Sequence, residues 1–365
     1  MASGLVQRNL YRAFRGEELK AGGRLPIMVS WLPIVTWLLA FHCSGRYPGS
    51  ADGRAPERRG GNTGAPMNIL VTGASGLIGS SLVPFLARHG HQVTRLVRTR
   101  PGKGAEEICW DPEGGRLEAA LLDGFDAVVH LAAENIGSGR WTERRRRRIL
   151  ESRSAGTRLL ASTLADLQRP PEVLVSTSAI GFYGDCGVEI LKEDSCPGQG
   201  FLADVCHQWE QAAEVVKGRG IRLVTLRIGM VLAAAGGALP RMLRPFRMGV
   251  GGRVGPGTQY MSWIALDDLV EVIRFACTQP SLQGAVNAVA PEPVTNLAFT
   301  RTLGRVLRRP AVFPLPAFLV RLMFGEMGEE LLLYSARVEP ARLLAAGFQF
   351  RFPRLEAALR HVLSA

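Results

Sequence analysis

Residues Val71–Ser80 read Val-Thr-Gly-Ala-Ser-Gly-Leu-Ile-Gly-Ser and follow the apolar stretch Met67-Asn68-Ile69-Leu70. A short buried strand thus runs into a turn with glycines at Gly73, Gly76 and Gly79, and a helix is predicted beyond it. In that order, strand, glycine turn and helix N-terminus make a site for a dinucleotide pyrophosphate. Gly73 lets the chain turn sharply, Gly76 removes a Cβ that would block a phosphate, and Gly79 lets the helix pack closely on the strand. The helix start offers free N–H groups and a partial positive charge, so Ser75, Leu77 and Ile78 join the glycines as candidate cofactor contacts. The spacing is Gly-x-x-Gly-x-x-Gly rather than Gly-x-Gly-x-x-Gly. Glycines alone also mark ordinary turns; the strand–turn–helix context carries the reading.

Beyond this turn the pattern alternates. Strands are predicted at 67–72, 92–98, 125–132, 173–177 and 221–228, with helices at 77–89, 142–165 and 203–217 between them. Parallel neighbours need a crossover helix, so the alternation predicts an α/β fold with a doubly wound parallel sheet of the Rossmann type. Three regions follow: an N-terminal extension over 1–66, a dinucleotide-binding domain over 67–232, and a mixed substrate-side and C-terminal helical region over 233–365. Gly249 to Gly257 looks like part of a ligand cleft.

Composition narrows the function. The 365 residues are enough for a full core, and 47% apolar with 21% charged residues is a globular balance. The net charge of +12 raises nucleic acid as a partner. The dense run Arg144–Arg148 has no aromatic residues interleaved for base stacking, so no nucleic-acid partner is expected. Six scattered cysteines form no Cys-x-x-Cys pair, and the six histidines form no cluster. Neither a metal site nor a disulfide framework is expected, and a reducing, cytoplasmic compartment is. The first 66 residues hold nine Lys/Arg against four acids, and an apolar stretch from Pro26 to Cys43 that Pro33 interrupts. That stretch is short for a spanning helix, so the expectation is a native start at Met67 preceded by an upstream translation artefact or a disordered tail, with a membrane anchor as the minority reading.

The end of the second strand decides the cofactor. An NAD-preferring site places an acid there for the ribose 2′-OH, whereas this chain has Arg98-Thr99-Arg100. Arginine attracts a 2′-phosphate, so NADP(H) is expected, with Arg98 the better candidate because it follows Leu96-Val97 directly. The competing reading of Arg98 is a solvated strand end.

Taken together, these segments resemble the extended short-chain dehydrogenase/reductase family. Thr72–Gly79 is similar to its nucleotide motif and His130-Leu131-Ala132-Ala133 to its fourth-strand segment, which implies cofactor contacts at Leu131 and Ala132. Ser176-Thr177-Ser178-Ala179 resembles its serine motif, and Trp263 to Leu269 its Val-Asp-Asp segment. Leu243 to Tyr260 and the C-terminal part resemble an epimerase-like branch of uncertain substrate that ends in a small domain of unknown function. Arg153 falls on the long helix where family members contact the cofactor. The resemblance implies an NADP(H)-binding, epimerase-like oxidoreductase acting on a small polar, nucleotide-sugar-like substrate.

One motif is missing. Family enzymes carry a Tyr four residues before a Lys on the helix after the serine strand; the Tyr moves the proton and the Lys lowers its pKa. If Glu210 matches the acid after that lysine, Leu202 and Cys206 occupy the two places. Ser178 and Tyr183 are then the candidate catalytic residues, placing a substrate oxygen and supplying its proton. The alternative is a non-catalytic NADP(H)-binding sensor or scaffold. Asp267 and Asp268 are first of all candidate N-caps, and Trp263 either borders the cleft or fills core.

Overall fold

The computed structural model describes residues 65–98 and 106–364, all within one compact unit. The basic leader, Thr99 and Arg100 lie outside the described residues.

Seven parallel strands make the central sheet: β1 (Asn68–Thr72), β2 (Gln92–Val97), β3 (Glu107–Cys109), β4 (Ala127–His130), β5 (Val173–Ala179), β6 (Arg222–Ile228) and β7 (Gly284–Ala288), in the order β7-β6-β5-β4-β1-β2-β3. The helices of eight residues or more are α1 (Leu77–Arg88), α2 (Glu143–Ala165), α3 (Phe201–Ala213), α4 (Leu239–Arg247), α5 (Leu266–Thr278), α6 (Asn296–Leu307), α7 (Ala317–Phe324) and α8 (Leu355–Ser364). Strand order reverses between β1 and β4, and the crevice at the carboxyl ends of strands at such a switch is where α/β sheets bind ligands.

Both sheet faces are covered, which explains near-continuous apolar runs such as Ala127–Val129. Ile69, Val71, Val129 and Val224 pack with Leu82 and Leu86 of α1 and Leu269 and Ile273 of α5. Their neighbours Leu70, Val128, Leu174 and Leu223 face the other way, onto Leu160, Ala161 and Leu164 of α2.

A border at 232/233 cuts this sheet, because α5 and β7 come after it. Strand β7 pairs with β6 from Gly284↔Val224 to Ala288↔Ile228. Its sequence Gly-Ala-Val-Asn-Ala has a single β-branched residue and carries little strand signal of its own. The remaining C-terminal residues build a second apolar cluster around Trp263, Phe299, Leu303 and Leu359. Trp263 is wholly buried there and fills core, its indole N–H donating to Glu292 O.

Asp267 and Asp268 are not caps. The N-cap of α5 is Ala265, with no side-chain cap bond. Asp268 instead accepts the backbone N–H groups of Arg351 and Phe352 at 2.8 and 3.0 Å, and Asp267 pairs with His361 at 2.6 Å. The two acids tie the chain's end to α5. Among the described residues no helix is long and apolar enough to cross a membrane.

Candidate cofactor and active site

The glycine turn has the geometry its sequence requires. Gly73 adopts φ +68°, and a Cβ on it would lie 2.8 Å from Ala132 N and from Leu131 C. The backbone just after β4 therefore approaches the turn as closely as backbone allows. A Cβ on Gly79 would lie 2.3 Å from Gly73 O, so helix and turn are in direct contact. Gly76 differs: a Cβ there meets only Gly73 O, at 3.3 Å, and the residue is exposed. Gly76 is also the N-cap of α1, where no side chain caps the helix and no acid stands in the first turn. The helix start is left with free donors and a positive end, beside exposed Ser75 and half-buried Leu77 and Ile78. These residues fit a dinucleotide pyrophosphate.

Behind the turn lies a buried hydrogen-bond chain. Thr72 Oγ1 accepts from Leu131 N and Ala132 N at 3.0 and 3.1 Å and contacts His130 Nδ1 at 2.8 Å. With both lone pairs used, the threonine hydroxyl donates to Nδ1, which makes His130 the neutral tautomer protonated on Nε2. Nε2 then donates to Thr157 Oγ1 of α2 at 2.8 Å, where Trp209 Nε1 of α3 also donates at 2.9 Å. Burial lowers the His130 pKa to about 4, consistent with a neutral ring. The chain fixes Leu131 and Ala132 beside Gly73.

Arg98 is exposed immediately beyond β2. Strand β2 is the direct neighbour of β1, with Leu96 level with Thr72, so Arg98 is carried to the carboxyl edge beside the glycine turn. Arg153 is placed differently. Its guanidinium is buried, donates to the carbonyls of Ile149 and Glu134 at 3.1 and 2.9 Å, and stacks on Trp209 at 5.0 Å. Those partners make it a brace between α2 and the Glu134 loop rather than a phosphate ligand. Within the run Arg144–Arg148, three arginines are exposed. Arg145 bonds Asn135 O at 2.5 Å, and Arg146 pairs with Glu326 and stacks on Phe201.

At the end of β5 both candidate catalytic hydroxyls are engaged internally. Ser178 is buried, and its Oγ donates to Glu210 Oε1 at 2.8 Å. Tyr183 is fully buried; its Oη lies 2.7 Å from Asn287 Oδ1, 3.0 Å from Lys192 O and 2.9 Å from Arg227 Nη1. Arg227 closes the network with a two-pronged pair to Glu210, both bonds 2.9 Å, and lies 3.5 Å from the Phe182 ring centre. Burial raises the tyrosine pKa. A phenol so enclosed is not presented to a substrate, and the expected catalytic role of Tyr183 is corrected on that ground. Ser178 is likewise turned to Glu210.

Leu202 and Cys206 both face the turn after β5. A Cβ on Gly181, in the turn after β5, would lie 3.2 Å from Leu202 Cβ and 3.7 Å from Cys206 Sγ. Burial raises the Cys206 pKa to about 11, with Ser178 and the Ala179 backbone within hydrogen-bonding reach. That thiol is neutral at physiological pH and offers neither fixed charge nor nucleophile. The α3 N-terminus is filled as well. Glu330 accepts the N–H groups of Phe201 and Leu202, both at 2.8 Å. Sequence reasoning did not reach Glu330, Arg227 or Asn287; only their distant partners give them meaning.

With this geometry in view, comparison with known proteins is direct. Residues 69–289 match the NAD dependent epimerase/dehydratase family, and residues 315–362 match a domain of unknown function, DUF1731. An epimerase family protein of Mycobacterium bovis is 41% identical over 291 residues, covering 80% of this chain and 96% of the relative. The crystal structure of human epimerase family protein SDR39U1 (isoform 2) with NADPH is 36% identical with a TM-score of 0.75, covering 82% and 99% of the two chains. A nucleoside-diphosphate sugar epimerase structure from Corynebacterium glutamicum is also 36% identical, TM-score 0.69, with 82% of this chain covered but 58% of the other. The sheet topology, the glycine turn and these matches agree: the chain belongs to the NAD dependent epimerase/dehydratase family and carries the DUF1731 domain in its C-terminal part.

Proposed function

We propose that this protein binds NADP(H) across the carboxyl edge of its sheet, and that holding the cofactor is the function its geometry is built for. The observation that carries this is the uncapped N-terminus of α1, with exposed Gly76 before it and the backbone after β4 pressed against Gly73 behind it. Exposed Arg98 beside the turn supports the phosphorylated cofactor over NAD(H), as does the NADPH in the human relative's structure. When bound, the nicotinamide supplies a hydride; the chain supplies the pyrophosphate donors and the fixed β4 backbone.

A second reading, an epimerase-like oxidoreductase for a small polar, nucleotide-sugar-like substrate, is favoured by family membership and by the Corynebacterium relative's description. Its proton step would not run through Tyr183, which Asn287, Lys192 and Arg227 enclose. The deciding experiment is NADPH oxidation against a panel of carbonyl compounds and nucleotide sugars. The binding reading expects tight NADPH binding and no oxidation. If turnover is found, Tyr183→Phe should leave its rate within about threefold, whereas a lost general acid removes 10²–10⁴-fold; a loss of that size would reinstate Tyr183.

A further inference from the structure

A second charged site is built from other elements than the glycine turn. An open pocket of about 520 Å³ between α6, the loop after it and the 249–257 segment has four arginines among its lining residues, Arg253, Arg301, Arg305 and Arg309. The chain bends at its edge. Arg308, at the C-cap of α6, has φ 52°, the left-handed conformation usually given to glycine, and is alone among the described non-glycine residues in having positive φ. Past that bend, Arg309 N–H returns to Gly304 O at 2.9 Å.

The charge there is poorly balanced. Glu356 pairs with Arg305 at 2.7 Å, but the same carboxylate also holds Arg360 at 2.6 Å. Arg253 donates one nitrogen to the carbonyls of Gly255 and Pro256. Arg301 and Arg309 have neither an ion pair nor a side-chain hydrogen bond among the described residues. Complementing the helix dipole explains Arg305 and Arg308, which lie at the end of α6. It does not explain Arg301, a turn earlier, or Arg253, from another segment. Arg301, Arg305 and Arg309 are exposed, so their mutual repulsion is screened, but together with Arg253 they leave a local excess of positive charge that an anion would balance. The guanidinium fork matches phosphate oxygens, and Leu297 and the 70% exposed Val312 give the same pocket an apolar side.

We propose that this pocket binds a phosphate group carried on an organic molecule, held by Arg301 and Arg309 with Arg253 and Arg305 beside them, independently of the dinucleotide. The chemistry is shared by soluble phosphate esters and phospholipid headgroups.

The test uses the full chain, titrated calorimetrically with inorganic phosphate and with glycerol 3-phosphate, with and without saturating NADPH, since the glycine turn is the competing phosphate site. The expected result is saturable binding that survives NADPH and weakens roughly tenfold or more in R301A/R309A. R301Q/R309Q gives the same comparison should the alanine pair fold poorly. R144A/R147A, which removes two exposed arginines from α2, should leave binding unchanged. Sedimentation with phosphatidylcholine vesicles containing phosphatidic acid separates the sources. Co-sedimentation lost in R301A/R309A indicates a headgroup; phosphate binding without co-sedimentation indicates a soluble ester. Absence of saturable binding in the NADPH-loaded chain, or equal weakening in R144A/R147A, would overturn the proposal.

Discussion

Two helices begin at the same carboxyl edge of the sheet, and their N-termini have opposite fates. Helix α1 opens behind Gly76 with no capping side chain and no acid in its first turn. Helix α3 opens behind Gly200 with both Glu330 oxygens on its first N–H groups. Both ends carry the same unsatisfied donors and the same partial charge. One is left for a ligand; the other is filled by the protein itself. The side chains follow suit. Near α1 the polar groups point outward or brace the turn, while near α3 Ser178, Glu210, Arg227 and Tyr183 satisfy one another. One helix start is left open, and the other is closed by the protein's own side chains.

The largest effect should come from opening the closed half. Arg227→Ala leaves Glu210, whose side chain is only 14% exposed, without its cation, a change worth about 3–5 kcal/mol of stability. Urea unfolding should show that loss, with NADPH affinity in the still-folded protein nearly unchanged. A destabilisation under about 1 kcal/mol would mean the network is not what holds α3 to the sheet.

The brace behind the open half predicts a pH dependence. His130 is neutral in the fold with its pKa lowered to about 4, whereas the unfolded chain protonates near 6.5. As pH falls through that window the unfolded state takes up a proton that the folded state refuses. Stability should therefore decline between pH 6.5 and 4, by roughly 3 kcal/mol from this group. The decline should be shallower in His130→Asn. An NMR titration placing the His130 pKa near 6.5 would contradict the buried, neutral ring.

The open half itself is tested at Gly76. A Cβ there meets one neighbour within 4 Å, Gly73 O at 3.3 Å, and the residue is exposed, so Gly76→Val should still fold yet bind NADPH about a hundredfold more weakly, by obstructing the phosphates. Unchanged affinity by calorimetry would show that the anion does not lie against this glycine.

How much of this is readable in the sequence follows from the range of the interactions. The glycine turn is contiguous, each residue's task is set by its immediate neighbours, and its reading carries over to the structure. Strand alternation likewise identifies β1, β2, β4, β5 and β6. Strand β3, three residues long, and β7, with its weak apolar content, are strands because of what they pair with. The closed half was not legible. Tyr183 meets Arg227 44 residues away and Asn287 104 residues away, so a loop tyrosine that reads as a free hydroxyl becomes a core group only once β6 and β7 are beside it. Arg153 misleads similarly: its position on α2 suits a cofactor contact, but its carbonyl partner Glu134 lies 19 residues back along the chain. Asp267 and Asp268 read as caps because their C-terminal partners are more than 80 residues distant.

The central claim is that the open edge holds NADP(H) through Gly76 and Arg98, and a paired titration of the full chain with NADPH and NADH tests it most directly. NADPH should bind at least tenfold more tightly, a phosphate–arginine pair being worth around 1.5–3 kcal/mol, and Arg98→Ala should abolish the difference while leaving NADH affinity unchanged. Equal affinity for the two cofactors in the unmodified chain, or a preference that survives Arg98→Ala, would contradict it.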